Sequence, residues 1–380
     1  MDSKKWVAVW GNAMSCDEFC PANYAKDITL RYIIATSMNG GKIRLRFSNS
    51  YGLEDVVLTC VTVGRADDDG RVSDFTNVTF NGEKTAGICK GESVYSDDID
   101  FKVKFGEKLA VSIYLKDYTD LHSSISTKGP LGNYMFAKGD MTEKSVLDPA
   151  VSEKTGRCYF LDSVEVLTDK NNKAAVVFGD SISTQSWPEW LALRLMDAGR
   201  SDISVVRRAV SGSRVLREYT NLSLLKYAHA GIARFEADVT SVQGADRVFV
   251  LHGVNDIIHP KDGVLFRPMT DLPTARELID GYKKYIEIAH NHGLKIYIAT
   301  ITPFCNWGTY DDGRNDIRLE VNEWITANNE ADGYIDFAGA VCNPHSKNAL
   351  LDIYDSGDHL HPSFDGGHAL ADSVPEEYLK

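Results

Sequence analysis

The chain lacks any apolar run near the roughly 20 residues that a membrane-spanning helix needs. Its apolar runs are short, such as Ala174-Ala175-Val176-Val177-Phe178. Lys4-Lys5 precede only the five apolar residues Trp6-Val7-Ala8-Val9-Trp10 before Gly11-Asn12, too few for an h-region, so this segment is not expected to be a leader. That segment reads as a first β-strand, and the expectation is a cytoplasmic protein. The seven cysteines (16, 20, 60, 89, 158, 305 and 342) are odd in number and scattered. They form neither a disulfide framework nor a CxxC redox or zinc spacing. Cys16 and Cys20 are close enough to pair but read better as free thiols. His290-Asn291-His292 falls at a predicted helix end, outside any His–Cys zinc spacing. No metal and no cofactor is expected.

Positive charge is in deficit, with 41 Lys and Arg against 54 Asp and Glu and a net charge of −13. Nothing offsets repulsion from a polyanion, which excludes a nucleic-acid backbone or an anionic membrane surface as partner. Internal repeats and low-complexity tracts are absent. What remains is globular composition, 43% hydrophobic and 25% charged over 380 residues. That length favours two domains over one.

The rhythm of the sequence changes partway along. Up to about residue 168, Ile43, Leu45 and Phe47 alternate with Lys42, Arg44 and Arg46. Phe101, Val103 and Phe105 alternate with Lys102 and Lys104. Period-two alternation marks strands with one wet face. Asn39-Gly40-Gly41 separates two such runs and suits a hairpin turn with positive φ. Further runs follow at Val56–Val63, Leu109–Leu115 and Val164–Leu167. The expected domain over 1–168 is an antiparallel β-sandwich of jelly-roll type. Arg31, Arg44 and Arg46 read there as a solvated face.

After the polar stretch Asp169-Lys170-Asn171-Asn172-Lys173, apolar runs alternate with helical segments. Ala174–Phe178, Ser204–Val210, Arg247–Leu251, Lys295–Thr300 and Tyr334–Phe337 read as five buried parallel strands. Helices are expected at Trp187–Ala198, Gly231–Val239, Thr274–His290 and Ile317–Asn328. The third of these has its core face on Leu278, Tyr282, Tyr285, Ile286 and Ala289, with Gly293 as its C-cap. The domain over 169–380 is therefore expected to be α/β, a three-layer α/β/α arrangement on a five-stranded parallel sheet. Ligands of such sheets bind at the carboxyl ends of the strands.

Four short blocks follow strand ends or close the chain. Gly179-Asp180-Ser181-Ile182 leaves the first parallel strand, and a serine there is a candidate nucleophile as well as a plausible N-cap. Ser211-Gly212-Ser213 follows the second. A glycine there can aim a backbone N–H at a developing oxyanion, or simply make a turn. Gly253-Val254-Asn255-Asp256 follows the third, where Asn255 can donate its amide to the same oxyanion or serve as a cap. Near the end, Asp358-His359-Leu360-His361-Pro362 offers His361 as a base for Ser181, with Asp358 to orient the imidazole. His359 is the competing histidine. No G-x-S-x-G elbow occurs, so an α/β-hydrolase fits poorly.

Together and in this order the blocks resemble the SGNH, or GDSL-like, hydrolase superfamily, whose four blocks contribute Ser, Gly, Asn and His. The matching residues are Ser181, Gly212, Asn255 and His361, with Asp358 as the triad acid. The likeness extends to a bacterial branch with an N-terminal β-sandwich, through Thr29-Leu30-Arg31, Ser37 with Gly40-Gly41, and Arg44-Leu45-Arg46-Phe47-Ser48-Asn49. Trp187-Pro188-Glu189-Trp190-Leu191-Ala192 and Tyr354 to Pro362 carry it further. The sequence departs in three places. Ile182 stands for the usual leucine, the glycine soon after the serine is missing, and Arg207 stands where the family often has Asn.

The resemblance implies a serine esterase working by two-step acyl transfer. The oxyanion would be held by the N–H groups of Ser181 and Gly212 and by the Asn255 amide. The expected partner is a small acylated molecule. Trp187 and Trp190 in one loop, and Phe304, Asn306, Trp307, Tyr310, Asp311 and Asp312 in another, mix aromatic and polar groups in the way sugar rings require. Trp307, Tyr310 and Trp187 are the candidate substrate contacts, although Trp187 also suits a core position at a helix start. An acetyl ester on a carbohydrate is the expected substrate; a general short-chain carboxylesterase or lipase-type acylhydrolase, and a non-catalytic carbohydrate-binding protein on the same frame, are the alternatives.

Overall fold

A computed structural model describes residues 3–16, 23–219, 221, 226–327 and 329–380. The chain divides into two compact units, residues 1–173 with 198–204, and residues 174–197 with 205–380. Cys20 of the pair considered above lies outside the described residues, while Cys16 is buried.

The first unit is built on antiparallel pairing. A six-stranded sheet runs, in spatial order, Ser152–Thr155, Asn133–Lys138, Ile28–Ala35, Lys108–Leu115, Cys60–Ala66, Val72–Asn77. A four-stranded sheet runs Lys4–Gly11, Leu161–Asp169, Ile43–Ser48, Ser93–Tyr95. This arrangement is consistent with a β-sandwich. Alternation in the strand Ile43–Ser48 is literal. Ile43, Leu45 and Phe47 are fully buried, while Arg44 and Arg46 are half-buried on the other face. Arg44 donates to the buried Glu165 at 2.6 Å and lies over the rings of Trp6 and Tyr95.

Three expectations for this unit are corrected. Asn39-Gly40-Gly41 is not a hairpin turn, because the strands it joins belong to different sheets and neither glycine has positive φ. Gly40 is needed for another reason, since a Cβ there would come within 2.9 Å of the Val166 Cβ. Phe101 to Phe105 keep the alternating burial but form no strand, only the single bridge Gly40 to Val103. Arg31 is not solvated. It is buried, and its guanidinium donates to Ser112 Oγ at 2.9 Å and to the Met141 carbonyl at 2.6 Å.

The second unit carries the five-stranded parallel sheet. Its strands are Lys173–Gly179, Ile203–Ala209, Ala245–Leu251, Lys295–Ala299 and Gly333–Ile335, numbered one to five along the chain. In space they lie in the order two, one, three, four, five. Strand order reverses between strands one and three, and in sheets of this kind ligands bind outside the carboxyl ends at such a switch point. Gly179 ends strand one where a Cβ would overlap the Leu251 carbonyl of strand three, so only glycine permits this approach. Eight helices are described: α1 (Ser181–Thr184), α2 (Trp187–Asp197), α3 (Gly231–Thr240), α4 (Val254–Ile258), α5 (Ala275–Asn291), α6 (Asp312–Ala327), α7 (Phe337–Val341) and α8 (Phe364–Asp372).

Local chemistry explains the limits of these helices. Thr274 and Glu277 close a reciprocal capping box at the start of α5. Gly293, in the left-handed region at φ +70°, stops it. Helix α6 starts five residues before the expected Ile317, because the Asp311 carboxylate accepts the Arg314 N–H at 2.9 Å and caps an earlier turn. Its expected last residue, Asn328, lies outside the described residues. Among the described residues, no helix is long and apolar enough to cross a membrane.

Candidate active site

Ser181 is presented by the end of strand one. Asp180 adopts an extended conformation and caps α1, its Oδ1 accepting the Ile182 N–H at 3.1 Å, so Ser181 is the first residue of that helix. Burial pushes the Asp180 carboxyl up to about 7, with nearby Asp256 adding to the effect. The first N–H groups of a helix have no partner within it. Among the described residues, the N–H of Ser181 donates to no protein group, and neither does that of Gly212.

The C-terminal loop brings the other members. His361 Nε2 lies 2.8 Å from Ser181 Oγ, and His361 Nδ1 lies 2.6 Å from Asp358 Oδ2. Asp358 is itself fixed. Its Oδ1 accepts the N–H groups of His361 (2.8 Å) and Leu360 (3.0 Å) and the Ser356 hydroxyl (3.2 Å). Partial burial raises this carboxyl, but the His361 ring and these backbone donors outweigh it and hold the group below the usual range. His359 does not compete for Ser181. At φ +69° it turns away and pairs through Nδ1 with Asp355 Oδ2 at 2.7 Å, while Asp355 Oδ1 accepts the Gly357 and His359 N–H groups. The Asp355–His359 pair therefore ties the loop from which His361 reaches Ser181.

Gly212 follows strand two at φ +76°, and a Cβ there would overlap the Tyr227 ring. Both constraints demand glycine. Asn255 is buried at the start of α4, and one of its amide protons goes to the Ser213 carbonyl at 3.0 Å. Asp256 beside it accepts the N–H groups of Val215 (2.7 Å) and Leu216 (3.0 Å). Burial raises its carboxyl to about 6 against the pull of those two donors. The blocks after strands two and three are thus stapled together by adjacent side chains.

The aromatic candidates divide. Trp307 stands edge-on to the His361 ring, with centroids 6.3 Å apart, and is half-buried. Tyr310 is half-buried against the fully buried Phe304. Trp187 must be corrected. Only 1% exposed, it donates its indole N–H to Ser183 Oγ at 3.2 Å and packs on Phe337, so it fills core and lines no substrate surface. His290 Nε2 lies 3.0 Å from Asp332 Oδ2, and His292 Nε2 lies 2.7 Å from Glu236 Oε1.

Several residues around the site carry no linear signature. Arg234 on α3 donates to the Gly179 carbonyl (3.0 Å) and to Ser213 Oγ (3.2 Å), joining the ends of strands one and two. Ser213 Oγ also lies 3.0 Å from His252 Nε2, and His252 Nδ1 lies 3.1 Å from the Tyr285 hydroxyl. Burial, aided by Arg234, drives the His252 pKa down to about 3, so the ring is neutral. Tyr219, Tyr227 and His259 form a three-ring cluster around Gly212. The period of strands and helices placed Tyr285 on a core face but could reveal none of these contacts.

The GDSL-like lipase/acylhydrolase family profile matches residues 177–369. No curated protein sequence matches the chain. Solved structures with similarity include a GDSL-like lipase from Bacteroides thetaiotaomicron VPI-5482, at 15% identity and TM-score 0.39, covering 55% of this chain and 89% of that one. An acetyl xylan esterase is 19% identical at TM-score 0.39, covering 53% of this chain and 97% of its own. The native aryl esterase of M. smegmatis is 15% identical at TM-score 0.42, covering 55% and 98%.

Proposed function

The chain belongs to the GDSL-like lipase/acylhydrolase family, and from that premise we propose that it is a serine esterase in which Ser181 is the nucleophile, His361 the general base and Asp358 the residue that orients it. The observation that carries this reading is the unbroken line from Ser181 Oγ to His361 to Asp358, at 2.8 and 2.6 Å. With Asp358 accepting from Nδ1–H, Nε2 is left bare to take the serine proton. Ser181 Oγ then attacks the ester carbonyl. The oxyanion is met by the free N–H groups of Ser181 and Gly212 and by the second amide proton of Asn255. His361 returns its proton to the leaving alcohol, and a water activated by the same ring frees the acid.

Asn255→Ala is expected to lower kcat by about 100–1000-fold while the protein stays folded. Steady-state rates on p-nitrophenyl acetate, with thermal unfolding in parallel, check this. Near-normal turnover by a folded variant would remove Asn255 from the mechanism.

For the substrate, we favour an acetyl ester on a carbohydrate. The half-buried Trp307 and Tyr310 offer ring faces, with exposed Asn306, Asp311 and Asp312 alongside as hydrogen-bonding groups. Such a mixture suits the apolar face and polar rim of a sugar. A second reading, a general carboxylesterase taking longer acyl chains, draws on Leu265 (87% exposed) and Phe266 (45%) in the segment between α4 and α5. A p-nitrophenyl ester series from acetyl to decanoyl separates the two. Acetate is expected to be the best acyl group, and preference for eight or more carbons would sink the sugar-acetyl reading. Acetate release from acetylated xylo-, manno- and glucosyl oligosaccharides would then identify the sugar.

A further inference from the structure

Gly212 poses a mechanical problem. It lies in an irregular segment after strand two, its φ of +76° is one that glycine leaves easily, and its N–H makes no protein hydrogen bond among the described residues. A donor that must meet a transient oxyanion has to be held before the charge appears, because reorganisation during the reaction forfeits the electrostatic benefit. Something other than the N–H itself must hold the residue.

The Gly212 carbonyl is where it is held. The Tyr219 hydroxyl lies 3.0 Å from that oxygen and donates to it. The same hydroxyl is in close contact with His259 Nδ1. A phenol has one proton, so with that proton on the Gly212 carbonyl, His259 Nδ1–H must donate to the Tyr219 oxygen. The relay runs His259 to Tyr219 to Gly212. Burial, with Arg267, Arg214 and His361 nearby, lowers the His259 pKa to about 3, so the ring stays neutral with a single N–H. Burial likewise raises the Tyr219 hydroxyl, which keeps its proton. The Tyr219 ring cannot swing away. The Arg214 guanidinium lies 4.2 Å from its centroid, held by the carbonyls of Arg217 and Glu218 and by Asp271 at 3.0 Å. Tyr227 packs at 4.9 Å from Tyr219 and presses on the Gly212 backbone.

We propose that Tyr219, set by His259, is a positioning residue that fixes the Gly212 peptide so that its N–H points at the oxyanion. The proposal rests on the reading of Gly212 as an oxyanion donor. Tyr219 touches no reacting atom and acts through Gly212. Its contribution therefore appears only when the tetrahedral species forms, and substrate binding in the ground state is left alone.

Tyr219→Phe removes the hydroxyl and keeps the ring. On p-nitrophenyl acetate, kcat is expected to fall about tenfold with KM within about twofold, a fraction of the loss from deleting a donor outright. Affinity for phenylboronic acid, whose serine adduct is tetrahedral, is expected to weaken by the same factor. His259→Asn retains an N–H near the position of Nδ1 and is expected to keep kcat within about twofold, whereas His259→Leu loses part of what Tyr219→Phe loses. Unchanged kcat and boronic acid affinity in Tyr219→Phe would overturn the proposal, and so would a rise in KM alone, which would make Tyr219 a substrate contact. If Tyr219→Phe fails to fold, equal kcat in His259→Asn and His259→Leu overturns it instead. These outcomes are separate from failure of the esterase reading, which would appear as p-nitrophenyl acetate turnover by the native protein that Ser181→Ala leaves undiminished.

Discussion

Ser181→Ala is expected to abolish ester hydrolysis, lowering kcat on p-nitrophenyl acetate by about 10⁴–10⁶-fold, the range for loss of a serine nucleophile. The side chain is the terminal group of the relay, and only its Oγ lies at hydrogen-bond distance from His361. Alanine costs the fold little. Ser181 opens a helix whose cap is Asp180, so the capping bond from Ile182 survives the substitution. Stability should therefore change by no more than about 0.5 kcal/mol. Denaturant unfolding beside the rate measurement makes the result decisive. A folded Ser181→Ala protein that still turned over the ester at more than a hundredth of the native rate would mean that the nucleophile lies elsewhere.

Asp358→Asn is expected to have the next largest effect, a fall of about 10³–10⁴-fold in kcat. The argument turns on which way the amide must face. Asp358 Oδ1 accepts two backbone N–H groups and the Ser356 hydroxyl, whereas Oδ2 accepts only from His361 Nδ1. An asparagine in this place must keep its oxygen on the three donors and turn its NH₂ toward the imidazole. Nδ1 then becomes an acceptor, the ring proton moves to Nε2, and the atom facing Ser181 no longer accepts. The same contacts predict a pH signature in stability. Because the Asp358 carboxyl is held below its ordinary value in the folded state, its stabilisation is present above the unfolded-state pKa and is lost as pH falls through the folded-state pKa. Asp358→Asn should flatten that acid limb of the unfolding profile. An Asp358→Asn enzyme within tenfold of native activity would remove Asp358 as the orienting acid.

Much of the catalytic unit was legible because its signals are local. Buried parallel strands show as short apolar runs, and a capping box or a Gly293 at positive φ needs only a few neighbouring residues. Three of the four blocks fell at strand ends for the same reason, since Gly, Asp and Ser mark the exit from a strand wherever it lies. The failures came where a local pattern had two tertiary explanations. Gly40-Gly41 reads as a turn, yet Gly40 is small because Val166 passes close to it. Phe101 to Phe105 alternate because alternate side chains are buried, but the backbone finds no ladder to join. Arg31 has the polarity of a surface residue and is nonetheless buried, with Nε donating to Ser112 and Nη2 to Met141. Trp187 could have faced a substrate or the core, and Ser183 with Phe337 decided for the core.

The negative charge and the lack of long apolar runs, of a CxxC spacing and of a G-x-S-x-G elbow narrowed the class of protein without any structure, because charge and residue spacing alone set repulsion, span length and the chemistry a motif can carry. The order of Ser181, Gly212, Asn255 and Asp358–His361 along the chain pointed to the family, since those residues stand at recognisable places in a β–α alternation. Only the tertiary structure decided between His359 and His361 as the partner of Ser181. Two residues apart in one loop, they differ in backbone conformation and in the carboxylate each finds. It alone also put Tyr219 and His259 behind Gly212, 7 and 47 residues away along the chain. Contacts of that kind depend on where folding brings two distant segments, and no periodicity in a sequence encodes the meeting point.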